Sequence, residues 1–321
     1  RNFPSRGVIW RGVGLFAGLQ HNRSIEKVDY FRIDLRDIEQ MSSLAPFLTL
    51  NPCLEDIALE DCNLGPVSLR TLSNALLERT DDALVTLNLN RNNFGDVDLD
   101  ELVVALSRCR KLSRLYLEGT GIGRNGCASL ARLLESQETN LEYLWLTDNV
   151  IDDECVNILV NSMTKNTKLR ALGLVRNSRI TATGWSALLK FVYDGSSIDS
   201  IVESNHTLRY VGKLTDAGRE EVNRALGVDD ANLLRASLKI NGMWNKRRVS
   251  KIKILWSHAR GSLNLGESSI VAGVMPHILA WFTGNSSSLA QYHHPPLPQA
   301  RIESIRLDAI YRILKSRPDL V

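Results

Sequence analysis

What the chain lacks narrows it first. None of its apolar runs approaches the ~20 residues that a helix needs to cross a bilayer, so no membrane span is expected. No charged-then-apolar leader opens it; it begins at Arg1 rather than Met, so its start is expected upstream. Cysteines are few and odd in number: Cys53, Cys62, Cys109, Cys127 and Cys155. None stand in C-x-x-C spacing, which points to reduced core thiols in a reducing compartment rather than to disulfides or a metal. H-E-x-x-H, G-x-S-x-G and a phosphate loop are all missing. Of the histidines His21, His206, His258, His277, His293 and His294, the first two lie in repeat turns and the last two precede prolines, and none joins a nucleophile–base constellation. No catalytic residue, metal or cofactor is therefore expected. A net charge of +3 says little as a total, but its distribution is uneven: residues 229–321 carry +7 and residues 1–228 carry −4.

What is present is a repeat. Apolar residues at offsets 0, +3 and +5 recur from anchors Ile25, Leu54, Leu84, Leu112, Leu141, Leu169 and Leu208, at gaps of 29, 30, 28, 29, 28 and 39 residues. At offset +8 stand Cys62, Asn92, Thr120, Asn149 and Asn177. Together these make the pattern L-x-x-L-x-L-x-x-N/C, the leucine-rich repeat. Each coil has a second half in which apolar residues lie ten and six positions before the next anchor, as in Leu15/Leu19, Leu44/Leu48, Leu102/Leu106 and Leu159/Met163. A spacing of four marks one helical face. Asn22, Asn51, Asn166 and Asn205, three before their anchors, are expected to end helices in left-handed geometry. The sequons at Asn22 and Asn205 therefore read as turns rather than glycosylation sites.

One coil cannot bury its apolar face alone. Stacked coils set their strands side by side, ~4.8 Å apart, in a parallel sheet. Helices are wider than strands, so they line the outside and the stack curves. The expected fold is α/β: a curved leucine-rich repeat solenoid, or horseshoe, with an inner parallel sheet and outer helices over 1–215. An α-helical, basic C-terminal cap and extension is expected over 216–321. Gly7 to Gln20 reads as a leading helix or N-terminal cap. Trp185 to Tyr193, Asp229 to Ile240, Trp244 to His258, Met275 to Phe282 and Arg301 to Lys315 read as further helices, and Ser286 to Gln299 as a loop.

The strands Leu84-Val-Thr-Leu-Asn-Leu-Asn-Arg-Asn92 and Leu141-Glu-Tyr-Leu-Trp-Leu-Thr-Asp-Asn149 carry a resemblance. Over roughly residues 9–216 the chain resembles ribonuclease-inhibitor-type leucine-rich repeat proteins. Asn205-His-Thr-Leu208, Asp229 to Leu238, Lys253 to Arg260 and Met275 to Trp281 resemble the C-terminal extension of uncharacterised algal leucine-rich repeat proteins. The resemblance implies a horseshoe that binds other proteins, and names no partner.

Strand side chains alternate, so offsets +2, +4, +6 and +7 face away from the core. Tyr116 and Trp145 share an offset on adjacent strands, with Tyr143 beside them and Gly173 leaving a hollow one strand on. Arg114, Glu118 and Asp148 flank this ridge, and Tyr, Trp and Arg dominate interface energetics. An acidic inner-face group, Asp29, Asp56, Glu60 and Asp61, reads equally as an attractor of a basic ligand or as a solvated face. The basic patch Lys246, Arg247, Arg248, Lys251 and Lys253 is the nucleic-acid or acidic-surface candidate, set against a solvated helix face. Arg91 and Arg176, at the strand-exit rim, are the residues a GTPase regulator on this scaffold would present in trans. The expected function is a non-enzymatic protein-binding scaffold or adaptor, in the cytoplasm or nucleus, with another protein as partner. GTPase regulation and nucleic-acid or acidic-surface binding through the basic helix are the alternatives.

Overall fold

A computed structural model describes residues 22–36, 38–136, 138–212, 216–243 and Lys253. In chain order the elements are β1 (Lys27–Phe31), α1 (Ile38–Leu50), β2 (Asp56–Glu60), α2 (Pro66–Leu77), β3 (Thr86–Asn88), α3 (Leu99–Ser107), β4 (Arg114–Tyr116) and α4 (Arg124–Glu135). There follow β5 (Tyr143–Trp145), α5 (Asp153–Ser162), β6 (Ala171–Gly173), α6 (Ala182–Val192), α7 (Ile198–Glu203), α8 (Asp216–Leu226) and α9 (Val228–Met243). Two compact units result: Arg1–Ala187 with Tyr210–Leu226, and Leu188–Arg209 with Gly227–Val321. The boundary expected at 215/216 falls inside the Tyr210–Leu226 segment of the first.

The first unit is a leucine-rich repeat α/β solenoid. Its six strands form one parallel sheet in chain order. Ile57, Leu87, Leu115, Leu144 and Leu172 are register partners from strand to strand. All five are fully buried. Each such side chain contributes roughly 2 kcal/mol by leaving water. The leucine anchors and the +5 leucines join them, as do the helix-facing pairs Leu44/Leu48, Leu102/Leu106 and Leu159/Met163. Helix starts are chemically marked. Pro66 opens α2, where its missing N–H costs nothing, and Asp152 caps α5 by accepting from Cys155 N at 2.9 Å.

The offset +8 residues form a ladder that reaches backwards. Asn92 Oδ1 accepts from Cys62 N and Leu64 N in the previous coil, and its Nδ2 donates to Leu59 O and Leu89 O. Asn149 serves Thr120 N, Ile122 N, Leu117 O and Leu146 O in the same way. Asn177 serves Asn149 N, Ile151 N, Leu146 O and Leu174 O. Thr120, lacking the second arm, bonds its own Leu117 O, and the Cys62 thiol donates to Tyr30 O at 3.4 Å.

Left-handed backbone is found at offset +7, in Arg32, Asp61, Arg91, Asp148 and Arg176, with φ between 56° and 65°. This corrects the expectation for Asn51, Asn166 and Asn205. Those asparagines act through their side chains: Asn51 Nδ2 donates to Phe47 O, Asn166 Oδ1 accepts from Leu169 N, and Asn205 Oδ1 from Leu208 N. Arg79, its side chain 2% exposed, ties one coil to the last by donating to Leu48 O, Asn51 O and Leu54 O while pairing with Asp81 at 2.6 Å. Cys62, Cys109, Cys127 and Cys155 are buried and unpaired, but Cys53 is exposed, a correction to its core reading. It follows Pro52 in the turn between α1 and the Leu54 anchor, outside the buried offsets.

Beyond β6, Tyr210 makes only an isolated bridge to Ala171, with Tyr210 O and Val211 O accepting from Leu172 N and Leu174 N. At inner coils the +7 N–H donates to a carbonyl of the next coil, as from Arg91 N to Glu118 O. Arg176 N donates instead to Glu221 of α8, 2.7 Å away. Asp216–Leu226 was not foreseen as a helix; its carboxylate stands where another strand's carbonyl would be.

In the second unit, α9 buries Ala231, Leu234 and Leu238, and Asn241 Nδ2 donates to Leu208 O at 2.7 Å. Lys253 is fully buried there, its ammonium donating to Val192 O, to Asn205 O at 3.3 Å and toward His206 Nδ1 at 3.3 Å. Burial pulls its pKa down to about 7. Its place in an exposed basic patch is corrected: carbonyls and an imidazole hold it inside. Lys246, Arg247, Arg248 and Lys251 lie outside the described residues, as do Gly7 to Gln20 and the helices and loop expected beyond Trp244.

Candidate functional site

The sheet face opposite the core is organised by offset. Tyr116 on β4 and Trp145 on β5 are register partners. Their rings lie 4° from parallel with centroids 6.5 Å apart, an offset stack. Tyr143, two residues before Trp145, points from the same face and is partly exposed. Gly173 pairs with Trp145 in register. The expected hollow beside it is already filled, because a Cβ built on Gly173 would stand 2.5 Å from Trp145 Cε3 and 3.1 Å from Thr147 Oγ1. The indole lies over the glycine. Ala171 and Val175, expected to face solvent, are also buried. Ala171 is a small residue in register between Tyr143 and Tyr210. The sixth coil therefore offers a close-packed floor rather than side chains.

Tyr210, 58% exposed, continues the Tyr143 row. The sequence signal for it is its offset +2 from the Leu208 anchor, which the 39-residue gap before that anchor sets apart from the other coils. At the opposite end of the sheet Phe31 is exposed, and the Arg32 guanidinium lies 4.8 Å over its ring.

Charges on this face are mostly matched. Lys27 pairs with Asp29 at 3.5 Å, Arg32 with Asp61 at 2.9 Å, Arg91 with Glu60 at 3.6 Å and Arg176 with Asp148 at 2.9 Å. The acidic group of Asp29, Asp56, Glu60 and Asp61 is thus interleaved with cations, and Asp56 is in register with Lys27. Arg91 and Arg176 extend into solvent but stand in ion pairs rather than free. Glu118 is half-buried beside the ridge; burial raises its carboxyl, Glu60 adds to the rise, and Arg176 and Arg91 pull against it. Arg114 differs from the other cations of this face. It is exposed, and its contact is a marginal one to Thr86 Oγ1 at 3.5 Å, with no ion pair among the described residues.

Among the described residues, no cluster of three or more His, Cys, Asp or Glu side chains suits a metal, and no helix is long and apolar enough to cross a membrane. His206 is buried, its Nε2 3.2 Å from Val202 O.

No family model matches the chain. It is 31% identical over 164 residues to NACHT, LRR and PYD domains-containing protein 14 of Mus musculus, covering 49% of this chain and 16% of that protein. It is 29% identical over 175 residues to the ribonuclease inhibitor of Sus scrofa, covering 54% of this chain and 36% of the inhibitor. The matched region is thus only part of each relative. A solved tropomodulin C-terminal domain of Caenorhabditis elegans overlaps 49% of this chain and 90% of its own at a TM-score of 0.37 and 20% identity. By its repeat period, its single parallel sheet and these relatives, this chain is a ribonuclease-inhibitor-like leucine-rich repeat protein.

Proposed function

We propose that the chain is a non-enzymatic binding module that holds another protein against the open face of its sheet. Leucine-rich repeat domains of this class typically bind proteins. A relative named as an inhibitor of ribonuclease acts, by that name, on another protein. The observation that carries the reading here is the Tyr116–Trp145 stack, which keeps two large, partly exposed rings in one orientation on a rigid strand pair. Rings already held this way lose little freedom on binding, the property of an interface hot spot. Tyr143 extends the ridge, and Arg91, Arg114, Glu118, Asp148 and Arg176 rim it. The unpaired cysteines support the cytoplasm or nucleus as its compartment.

The test is affinity capture from the native source with the intact chain and with Trp145→Ala. Proteins retained by the first are expected to be lost by the second, with a binding cost of at least ~2 kcal/mol and an unchanged far-UV spectrum. Identical captures by the two chains refute the site.

A further inference from the structure

We infer that the ridge receives a protein segment in which an Asp or Glu side chain lies next to an aromatic or large aliphatic one, its carboxylate meeting Arg114. This rests on the protein-binding reading and specifies the partner's chemistry. On this face Lys27, Arg32, Arg91 and Arg176 are each matched to a carboxylate of the chain itself, while Arg114 is not. Arg114 is in register with Tyr143 and two residues from Tyr116 on the same face, next to the stacked pair, and its guanidinium makes only the marginal contact to Thr86 Oγ1 at 3.5 Å. A planar fork of donors beside aromatic surface fits a carboxylate bidentately while a neighbouring apolar group covers the rings.

The surrounding charges select among anions. A single carboxylate is answered by one guanidinium, whereas a dianionic phosphate calls for a second cation, and the neighbouring arginines of this face are held in ion pairs. Nucleic acid needs several phosphate contacts, and the other cations here are already matched.

The experiment selects from a displayed library of random dodecapeptides on the full chain, then measures the recovered peptides against Arg114→Glu, Arg114→Lys and Trp145→Ala, each checked for folding by circular dichroism. Expected peptides carry Asp or Glu within two positions of Trp, Phe, Tyr or Leu. They bind Arg114→Glu at least ~10-fold more weakly, Arg114→Lys by an intermediate amount, and Trp145→Ala poorly. Aromatic peptides without acid enrichment, or acidic ones indifferent to Arg114→Glu, overturn the inference while their loss on Trp145→Ala leaves the ridge standing. Peptides indifferent to every variant, or none recovered, overturn both. A mixed-sequence single-stranded oligonucleotide is measured in parallel, and Arg114-dependent binding to it in place of peptides assigns the site to nucleic acid and overturns the inference.

Discussion

Replacing Asn149 by alanine tests how the coils are joined. Besides a long contact to Thr147 O at 3.4 Å, its carboxamide makes four shorter hydrogen bonds to main-chain groups: it accepts from Thr120 N at 3.1 Å and Ile122 N at 2.9 Å, and donates to Leu117 O at 2.8 Å and Leu146 O at 3.1 Å. The two carbonyls keep other donors, Thr120 Oγ1 and Asn177 Nδ2. The two N–H groups lose their acceptor in a buried turn. Four bonds at about 1 kcal/mol each, or two stranded donors at about 1–3 kcal/mol each, both give a loss near 4 kcal/mol. That is a large share of the 5–15 kcal/mol typical of a folded domain. Thr120→Ala, which removes a single hydroxyl donor shared between Leu117 O at 2.8 Å and Asn149 Oδ1 at 3.1 Å and leaves the Asn149 main-chain bonds in place, is the matched control at about 1 kcal/mol. Equilibrium urea unfolding followed by circular dichroism gives both values. A cost for Asn149→Ala no larger than for Thr120→Ala refutes the ladder as a stabilising device.

Other expectations come from the same geometry. Gly173→Ala places a methyl 2.5 Å from Trp145 Cε3, so the indole must lift; tryptophan fluorescence shifts, and the captures lost by Trp145→Ala weaken here too. An unchanged spectrum refutes the packing. The folded Glu118 carboxyl titrates above its usual 4.5, so between those two values the folded state holds more protons than the unfolded one. Stability therefore falls as pH rises through that window, and Glu118→Gln removes this part of the slope. Urea midpoints of the two proteins, compared from about pH 4 to pH 7, should diverge upwards; parallel curves refute it. Cys53 should react first with a thiol reagent in the native protein, since burial pushes the Cys62 and Cys109 thiols up to about 11. Mass spectrometry locating the first label elsewhere refutes that order.

The leucine frame was legible because a fixed period imposes one burial rule on every coil. Leu87, Leu115, Leu144 and Leu172 needed only to be counted before being found in register and dry. Conformation at offset +7 was not legible, since Arg, Asp and Gly share that position and only a shared backbone bend unites them. Trp145 was readable as a sheet-face aromatic, but that its ring would occupy the space over Gly173 depended on a rotamer. Lys253 reads as charge in any linear scan; its burial comes from carbonyls at Val192 and Asn205, some fifty and more residues away. The single unmatched status of Arg114 emerges only after each other cation has been given its neighbour.

The ladder's backward reach has a consequence for how the protein comes into being. Asn92, Asn149 and Asn177 each complete a bend that precedes them by one full coil. As the nascent chain leaves the ribosome, each of these three bends waits for its successor before its donors are met, so assembly there lags emergence by one step. Trimming from the front deprives no remaining bend of its acceptor, whereas trimming from the back undoes the bend before the cut. The molecule is therefore a ratchet with a direction, consolidated from its later coils and vulnerable to fraying there first.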